Sequence, residues 1–197
     1  PPATLLGPLP RPQETRVLLG GQDCHAEKSG AHTGCLSADM LKDAGASYVI
    51  VGHSECRAAG DRDADVNAKA KAASKAGLIP IICVGETEAQ REKGKAKSVV
   101  KAQIKASVPK LKDYVIAYEP VWAIGTGKTA TPDDVDEMHN AIREQVGAKV
   151  RLLYGGSVKP ANAESLLALE NVNGALIGGA GLEMESLAEI ARAAPEA

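Results

Sequence analysis

The sequence predicts an α/β fold in which short parallel strands alternate with helices. Short apolar runs rich in Val and Ile recur along the chain, and each ends in small or chemically active residues. Segments with apolar residues at helical spacing lie between these runs. Successive runs begin about 30 residues apart, a spacing typical of a strand followed by a helix that returns the chain to the next parallel strand.

Six apolar runs are the predicted strands of this fold. Because they are short and apolar on both faces of the pleat, they are typical of strands buried in a parallel sheet. They comprise residues 17–19, 48–51, 79–84, 114–117, 150–153 and 174–177.

The segments between the strands carry helix signals. Thr131 is a capping residue, Pro132 fits the first helical position, and the two Asp residues that follow suit the positive end of the helix dipole. Lys159 and Pro160 open a further helix, and residues 182–194 are amphipathic. Residues 63–76 and 87–108 complete the predicted helices.

Composition narrows the class of protein. The chain has 197 residues and a formal net charge of −2, which suits one globular domain and argues against nucleic acid as the main partner. No apolar run approaches the ~20 residues of a membrane span, and we expect no signal peptide in residues 1–15. The four cysteines form no Cys-x-x-Cys pair, so reduced cytosolic thiols are favoured over a disulfide or zinc framework.

Two parallel-sheet architectures compete, an open doubly wound sheet and a closed barrel. The open nucleotide-binding sheet requires Gly-x-Gly-x-x-Gly after its first strand, and the chain lacks that motif there. Residues able to take part in catalysis or ligand binding instead follow nearly every strand, which is typical of the carboxyl-terminal face of a (β/α) barrel. A complete barrel has eight strands, and six are counted here.

A histidine and a carboxylate follow two of the strands. Glu119 comes directly after the strand 114–117 and its following tyrosine, and Pro120 denies it a helical conformation. His53 follows the strand 48–51, and Ser54 is expected to cap a short helix behind it. This pair suits proton transfer beside a carbonyl. The alternatives are a surface Glu in a loop and a hydrogen-bonded structural His.

Glycine-rich strand ends indicate a phosphate site. Gly155-Gly156-Ser157 and Gly178-Gly179 follow the last two predicted strands, where barrels of this type bind phosphate through backbone N–H groups. Residues 120–128 form an apolar-tipped loop that carries Gly125-Thr126-Gly127 near its end and is suited to close over a substrate. A loop whose Trp122 only packs on its neighbours is the alternative.

At these residues the sequence closely resembles the triosephosphate isomerase family. The matching blocks run in family order over almost the whole chain, and the long block around Glu119 is highly specific. They are Gly20-Gly-Gln-Asp-Cys-His25, Gly30-Ala-His-Thr-Gly34, Val51-Gly-His-Ser-Glu55, Cys83-Val-Gly-Glu86, Ala117-Tyr-Glu-Pro-Val-Trp-Ala-Ile-Gly-Thr-Gly127, Tyr154-Gly-Gly-Ser-Val-Lys-Pro160 and Gly174-Ala-Leu-Ile-Gly-Gly179.

The resemblance implies a cytoplasmic (β/α)8 TIM barrel, a homodimer, that interconverts dihydroxyacetone phosphate and D-glyceraldehyde 3-phosphate in glycolysis and gluconeogenesis without cofactor or metal. It implies that His53 polarises the substrate carbonyl and that Glu119 moves the proton, a pairing for which this family is a standard example. Thr33 matches the tip of the loop that reaches the partner subunit, and residues 120–130 match the closing lid. By the same resemblance, Gly125, Ser157, Gly178 and Gly179 bind the phosphate.

The sequence also departs from the family pattern. The family begins with a strand carrying Asn-x-Lys and then a second strand, so we expect residues 1–197 to form a single barrel domain that lacks these two strands. Asn67-Ala68-Lys69 lies in a predicted helix and is no substitute. The alternatives are another phosphate-binding barrel, such as a sugar-phosphate isomerase or epimerase, and an inactive barrel that serves as a binding protein. The departing side chains are Cys35, Cys56, Asp61 and Gly181.

Overall fold

The structure, a computed structural model, describes residues 1–7, 9 and 17–195. It confirms the α/β class, with five parallel strands. None of the helices formed by these residues is long and apolar enough to cross a membrane. The strands are β1 (Gly20–Gly21), β2 (Tyr48–Val51), β3 (Ile79–Val84), β4 (Val115–Tyr118) and β5 (Arg151–Tyr154).

Eight α-helices are formed within the described residues. Short 3₁₀ turns lie at Ala3–Leu5, Val121–Ala123 and Gly179–Leu182. The predicted start at Thr131 is confirmed, because its hydroxyl accepts from the backbone N–H of Asp134. The helices are α1 (Ala38–Asp43), α2 (Ser54–Ala58), α3 (Asp63–Lys75), α4 (Glu88–Glu92), α5 (Ala96–Ser107), α6 (Pro132–Val146), α7 (Pro160–Leu167) and α8 (Met184–Arg192).

The structure corrects three of the predicted elements. The first strand is Gly20–Gly21 rather than residues 17–19, since the pairing with β2 begins beyond Leu19. Residues 174–177 make a single parallel bridge, between Ala175 and Tyr154, instead of a strand. The predicted helix 87–108 is interrupted between α4 and α5, where Gly94 has a φ of +67° that helical residues do not adopt.

The described chain divides into two compact units. The first comprises Pro1–Cys83 and Gln103–Val115. In it β1 pairs with β2 and β2 with β3, all in parallel, and Tyr48 lies opposite both Gly20 and Ile79. Its core contains aliphatic side chains of β2, α3 and β3 that are almost fully buried, among them Val49, Val66 and Ile82.

The second unit comprises Val84–Ala102 and Ile116–Ala197. The backbone N–H of Glu119 donates to the Val84 carbonyl at 2.8 Å, and Gly155 donates to the Tyr118 carbonyl at 2.7 Å. Ile116, Ile142 and Leu152 form part of its core. These contacts bring the carboxyl ends of β3, β4 and β5 side by side within this unit.

Candidate active site

Glu119 lies at the end of β4, held between two glycines of the second unit. The residue is only 2% exposed. A Cβ at Gly85 would lie 1.7 Å from the Glu119 carbonyl oxygen, and one at Gly155 would lie 2.8 Å from the Glu119 Cγ. No side chain fits in either place, so the two glycines are required for the backbone to approach this closely. The carboxylate is therefore carried by a tightly confined strand end.

Glu86 is a second buried carboxylate, beside the strand end that carries Glu119. Its Oε1 accepts from the Tyr118 hydroxyl at 3.1 Å and from the Trp122 indole N–H at 2.8 Å. Arg91 Nη1 lies 3.4 Å from the same oxygen. Burial, and then the Glu86 charge, raise the pKa of Tyr118, so its hydroxyl stays protonated and donates. The cluster ties the first turn of the lid to the end of β3.

Arg91, on α4, connects the start of the lid to the helix that follows the lid. Its guanidinium lies 4.6 Å from the centre of the Trp122 ring, in cation–π geometry. It also forms an ion pair with Asp134 in the first turn of α6. Partial burial by itself would raise the pKa of Asp134. Hydrogen bonds from Thr131 and the charge of Arg91 outweigh this effect and lower the pKa. Both partners are therefore charged at neutral pH.

The lid itself is anchored at both ends and exposed between them. Ala123 and Ala130 are buried, whereas residues 125–129 are exposed. Gly125 and Gly127 have φ angles of +68° and +80°, which side-chain-bearing residues rarely adopt. Thr126 steadies the turn by donating its hydroxyl to the Trp122 carbonyl at 2.7 Å.

The predicted phosphate-binding segments lie near each other in the second unit. Gly155-Gly156-Ser157 follows β5, and Gly178-Gly179 follows the segment that Ala175 bridges to Tyr154. Gly178 and Gly179 are exposed, and nothing lies within 4 Å of a Cβ built on either. Asn162 donates to the Ser157 carbonyl at 3.0 Å and fixes that turn. The backbone of Gly178 and Gly179 is therefore open to an anion, whereas the N–H of Gly155 is taken by the Tyr118 carbonyl.

His53 lies in the first unit, directly after β2. It, and not Ser54 as predicted, is the N-cap of α2, because its Nδ1 accepts from the backbone N–H of Glu55 at 3.3 Å. An Nδ1 that accepts a hydrogen bond carries no proton, so this contact assigns the ring proton to Nε2. The side chain is 27% exposed and thus reachable by a ligand.

Arg57 holds the strand end that carries His53. Its Nε donates to the Gly52 carbonyl at 2.9 Å and its Nη2 to the Cys83 carbonyl at 3.1 Å. Asp63 completes the arrangement by pairing with Nη1 at 2.7 Å. The ends of β2 and β3 are therefore joined by one guanidinium within the first unit.

Two of the departing residues, Cys56 and Asp61, lie together in the first unit. With Asp23 they form a group whose possible ligand atoms all lie within 4.8 Å of one another. Lys69 Nζ pairs with the carboxylates of Asp23 and Asp61 at 2.8 and 2.7 Å. Asn67-Ala68-Lys69 lies in α3, as expected, and Lys69 neutralises part of this cluster.

The sequence did not single out Glu86 or Arg91, and it named Lys69 only to reject it as a substitute for the missing Asn-x-Lys. Glu86 follows β3 after one glycine, close to the position that drew attention to Glu119, so its signal was present. Arg91 gave no signal, because ordinary helical arginines outnumber those that bridge two segments.

The chain is similar to known proteins in family, in sequence and in structure. The triosephosphate isomerase family matches residues 1–194. A triosephosphate isomerase of Afipia carboxidovorans is 56% identical over 99% of this chain and 82% of its own length. One of Mesorhizobium japonicum is 55% identical over 98% of this chain and 80% of its own length. The crystal structure of triosephosphate isomerase from Bartonella henselae covers 98% of this chain and 83% of its own, at 45% identity and a TM-score of 0.88.

Proposed function

The chain belongs to the triosephosphate isomerase family, and we propose that Glu119 and His53 carry out the reaction in it. The reaction interconverts dihydroxyacetone phosphate and D-glyceraldehyde 3-phosphate, an aldose–ketose isomerisation. It moves one proton between adjacent carbons and another between their oxygens. A base at carbon and a hydrogen-bond donor at oxygen are therefore the two groups required.

Glu119 is the proposed base. The observation that carries this assignment is its confinement between Gly85 and Gly155, which fixes the carboxylate at a strand end beside the phosphate segments. A base held in this way loses little freedom on reaching the substrate carbon. Its low exposure also keeps competing water away from the transferred proton.

His53 is the proposed electrophile. Its Nε2 proton, assigned from the Glu55 hydrogen bond to Nδ1, is the one that His53 donates to the substrate carbonyl oxygen in this proposal. The resulting hydrogen bond stabilises negative charge that develops on this oxygen as Glu119 removes the proton.

The phosphate of the substrate is assigned to Gly125, Ser157, Gly178 and Gly179. Gly178 and Gly179 are exposed backbone without side chains in the way, and the Ser157 hydroxyl adds a donor. Backbone N–H groups in such turns are well suited to phosphate oxygens. Gly125, in the lid, contributes once the lid closes.

Glu119→Gln tests the assignment of the base. Glutamine keeps the shape of the side chain but cannot accept the proton, so kcat should fall by roughly 10³-fold or more with little change in KM. Glu164→Gln, at an exposed position on α7, is the matched control and should leave kcat unchanged. Unchanged turnover in Glu119→Gln would refute the assignment. An inactive binding protein would give no turnover in the parent chain either.

We further propose that the chain acts as a cytoplasmic homodimer through the loop around Thr33, with residues 1–197 forming one (β/α) barrel domain. The base of this loop is closed by the bridge between His25 and Ser37, and Thr33 is exposed at its tip. Leu36, inside the loop, is 37% exposed, and Met40, just after it, is 55% exposed. The free thiol state of all four cysteines fits the cytoplasm. The structural match over 98% of the chain supports a single domain.

A further inference from the structure

Helix α4 contacts both ends of the lid. Near the lid's start, Arg91 lies over the Trp122 ring at 4.6 Å. Near its end, the ammonium of Lys128 forms an ion pair and hydrogen bond with the carboxylate of Glu88. Glu88 and Arg91 are one helical turn apart in this five-residue helix. One short helix therefore holds the lid at two points.

The surroundings of Lys128 are acidic on the α4 side. Glu88 is its direct partner, and Glu92, one turn further along α4, adds a weaker attraction. Both partners of the pair are about half exposed, at 56% for Lys128 and 48% for Glu88. The pair is therefore open to solvent and can separate without leaving a buried charge.

Gly125 in the lid and the phosphate segment at Gly178 and Gly179 do not cover one another in this arrangement. All three residues are exposed. Among the described residues, nothing lies within 4 Å of a Cβ built on any of them. The Glu88–Lys128 pair is therefore formed while these positions are uncovered, and we take this arrangement as the open lid.

We propose that Glu88 is a positioning residue for the isomerase: through its ion pair with Lys128 it holds the lid open, and the pair separates when the lid closes over the substrate phosphate. The proposal rests on the phosphate site and lid assigned above. Glu88 itself touches neither substrate nor the reacting atoms, and it acts only through the fraction of molecules whose lid is open.

The size of the effect follows from the exposure of the pair. Exposed ion pairs of this kind change a two-state equilibrium by a factor of roughly 1.5 to 5. Because closure must overcome the pair, its loss favours the closed lid and tightens substrate binding by the same factor. We expect Glu88→Gln to lower KM by about 1.5- to 5-fold, without lowering kcat/KM.

Trp122 offers a readout that does not depend on catalysis. It is the one tryptophan in the chain, it lies in the lid, and its indole contacts Arg91 and Glu86. In the absence of substrate, raising the NaCl concentration screens the exposed pair and should change the emission of the wild-type Trp122. Glu88→Gln should already show the high-salt emission at low salt and respond little to added NaCl.

Two further variants separate this role from a general loss of surface charge. Glu137→Gln breaks an exposed pair with Lys97, 2.8 Å long, that involves no lid residue, and it should behave as wild type. Glu88→Lys combined with Lys128→Glu rebuilds the pair in reverse and should restore the wild-type KM and salt response.

The proposal is wrong if Glu88→Gln matches Glu137→Gln in emission, salt response and KM, or if the reversed pair restores nothing. These results are independent of the proposed base. Active Glu119→Gln protein would refute the role of Glu119 while leaving the substrate-free Trp122 measurements intact.

Discussion

At the scale of single residues, His139 shows how burial sets a charge state. Its Nδ1 lies 2.8 Å from the Asn171 carbonyl, and the residue is completely buried on α6. Burial lowers the pKa of His139 to about 4, with a smaller contribution from the Arg143 charge, against the opposing Asn171 hydrogen bond. A neutral Nδ1–H therefore donates to Asn171 at pH 7.

This predicts a loss of stability in mild acid. In the unfolded chain a histidine takes up its proton near pH 6.5, whereas His139 in the folded chain resists protonation down to about pH 4. Protons then favour the unfolded state. The contribution of neutral His139 to the free energy of unfolding is therefore complete above pH 6.5 and declines as the pH falls toward 4, by about 3 kcal/mol in total. Urea unfolding at pH 7 and at pH 5 measures this loss as a difference in the free energy of unfolding.

His139→Asn keeps a donor for the Asn171 carbonyl but does not titrate. It should therefore lose less stability than the wild type between pH 7 and pH 5. His25→Asn, in a loop of the first unit, is the matched control and should keep the wild-type difference. Equal losses in all three proteins would show that His139 is not the group responsible.

The sequence predicted those site residues whose position after a strand already stands out. His53 and Glu119 each follow an apolar run, and the glycine pairs follow the last two runs, so strand ends make them candidates and the family resemblance gives them their proposed roles. The capping role of His53 was missed because Ser is the stronger capping residue in isolation. The contacts of Glu86 with Trp122 and Arg91 were missed because the three residues belong to three different segments. Only the folded chain brings these segments together.

At the scale of elements, the close approach of β3 and β4 positions Glu119. Gly85→Ala would place a methyl group 1.7 Å from the Glu119 carbonyl oxygen, a backbone atom that cannot turn aside. The strand ends must separate, which we expect to cost about 3 kcal/mol or more and to displace the carboxylate proposed as the base. Thermal unfolding and kcat should both fall sharply.

Gly7→Ala provides the control for this substitution. Within the part of the chain that the structure describes, nothing lies within 4 Å of a Cβ built at Gly7, and its φ is outside the left-handed region. This variant should be within about 0.5 kcal/mol of the wild type. A Gly85→Ala protein with wild-type stability and turnover would mean that β3 and β4 are further apart than described.

Elements with local signals were predicted well, and those that depend on partners were not. β3 matches residues 79–84, and α6 begins after Thr131 as its capping pattern predicts. Residues 17–19 and 174–177 have strand-like composition, but a strand also needs a partner in register, which composition does not specify. The break at Gly94 was missed because one glycine within a helical pattern is often tolerated.

At the scale of the whole molecule, the four thiols differ in accessibility. Cys35 is exposed, Cys24 and Cys83 are buried, and Cys56 is intermediate. Burial, followed by the Asp23 charge, raises the pKa of Cys56, which makes its thiolate scarce at neutral pH. A charged thiol reagent should therefore modify Cys35 first.

Cys35 lies two residues from Thr33, in the loop proposed to enter the partner subunit. A charged adduct there would have to be buried in the dimer without a partner charge, which opposes association. The unmodified protein should sediment at about twice the chain mass of 20.4 kDa, and the adduct should shift it toward the single-chain mass. Cys35→Ser should stay dimeric after the same treatment. A modified protein that keeps the dimer mass would place the interface elsewhere, and an unmodified monomer at micromolar concentration would contradict the dimer itself.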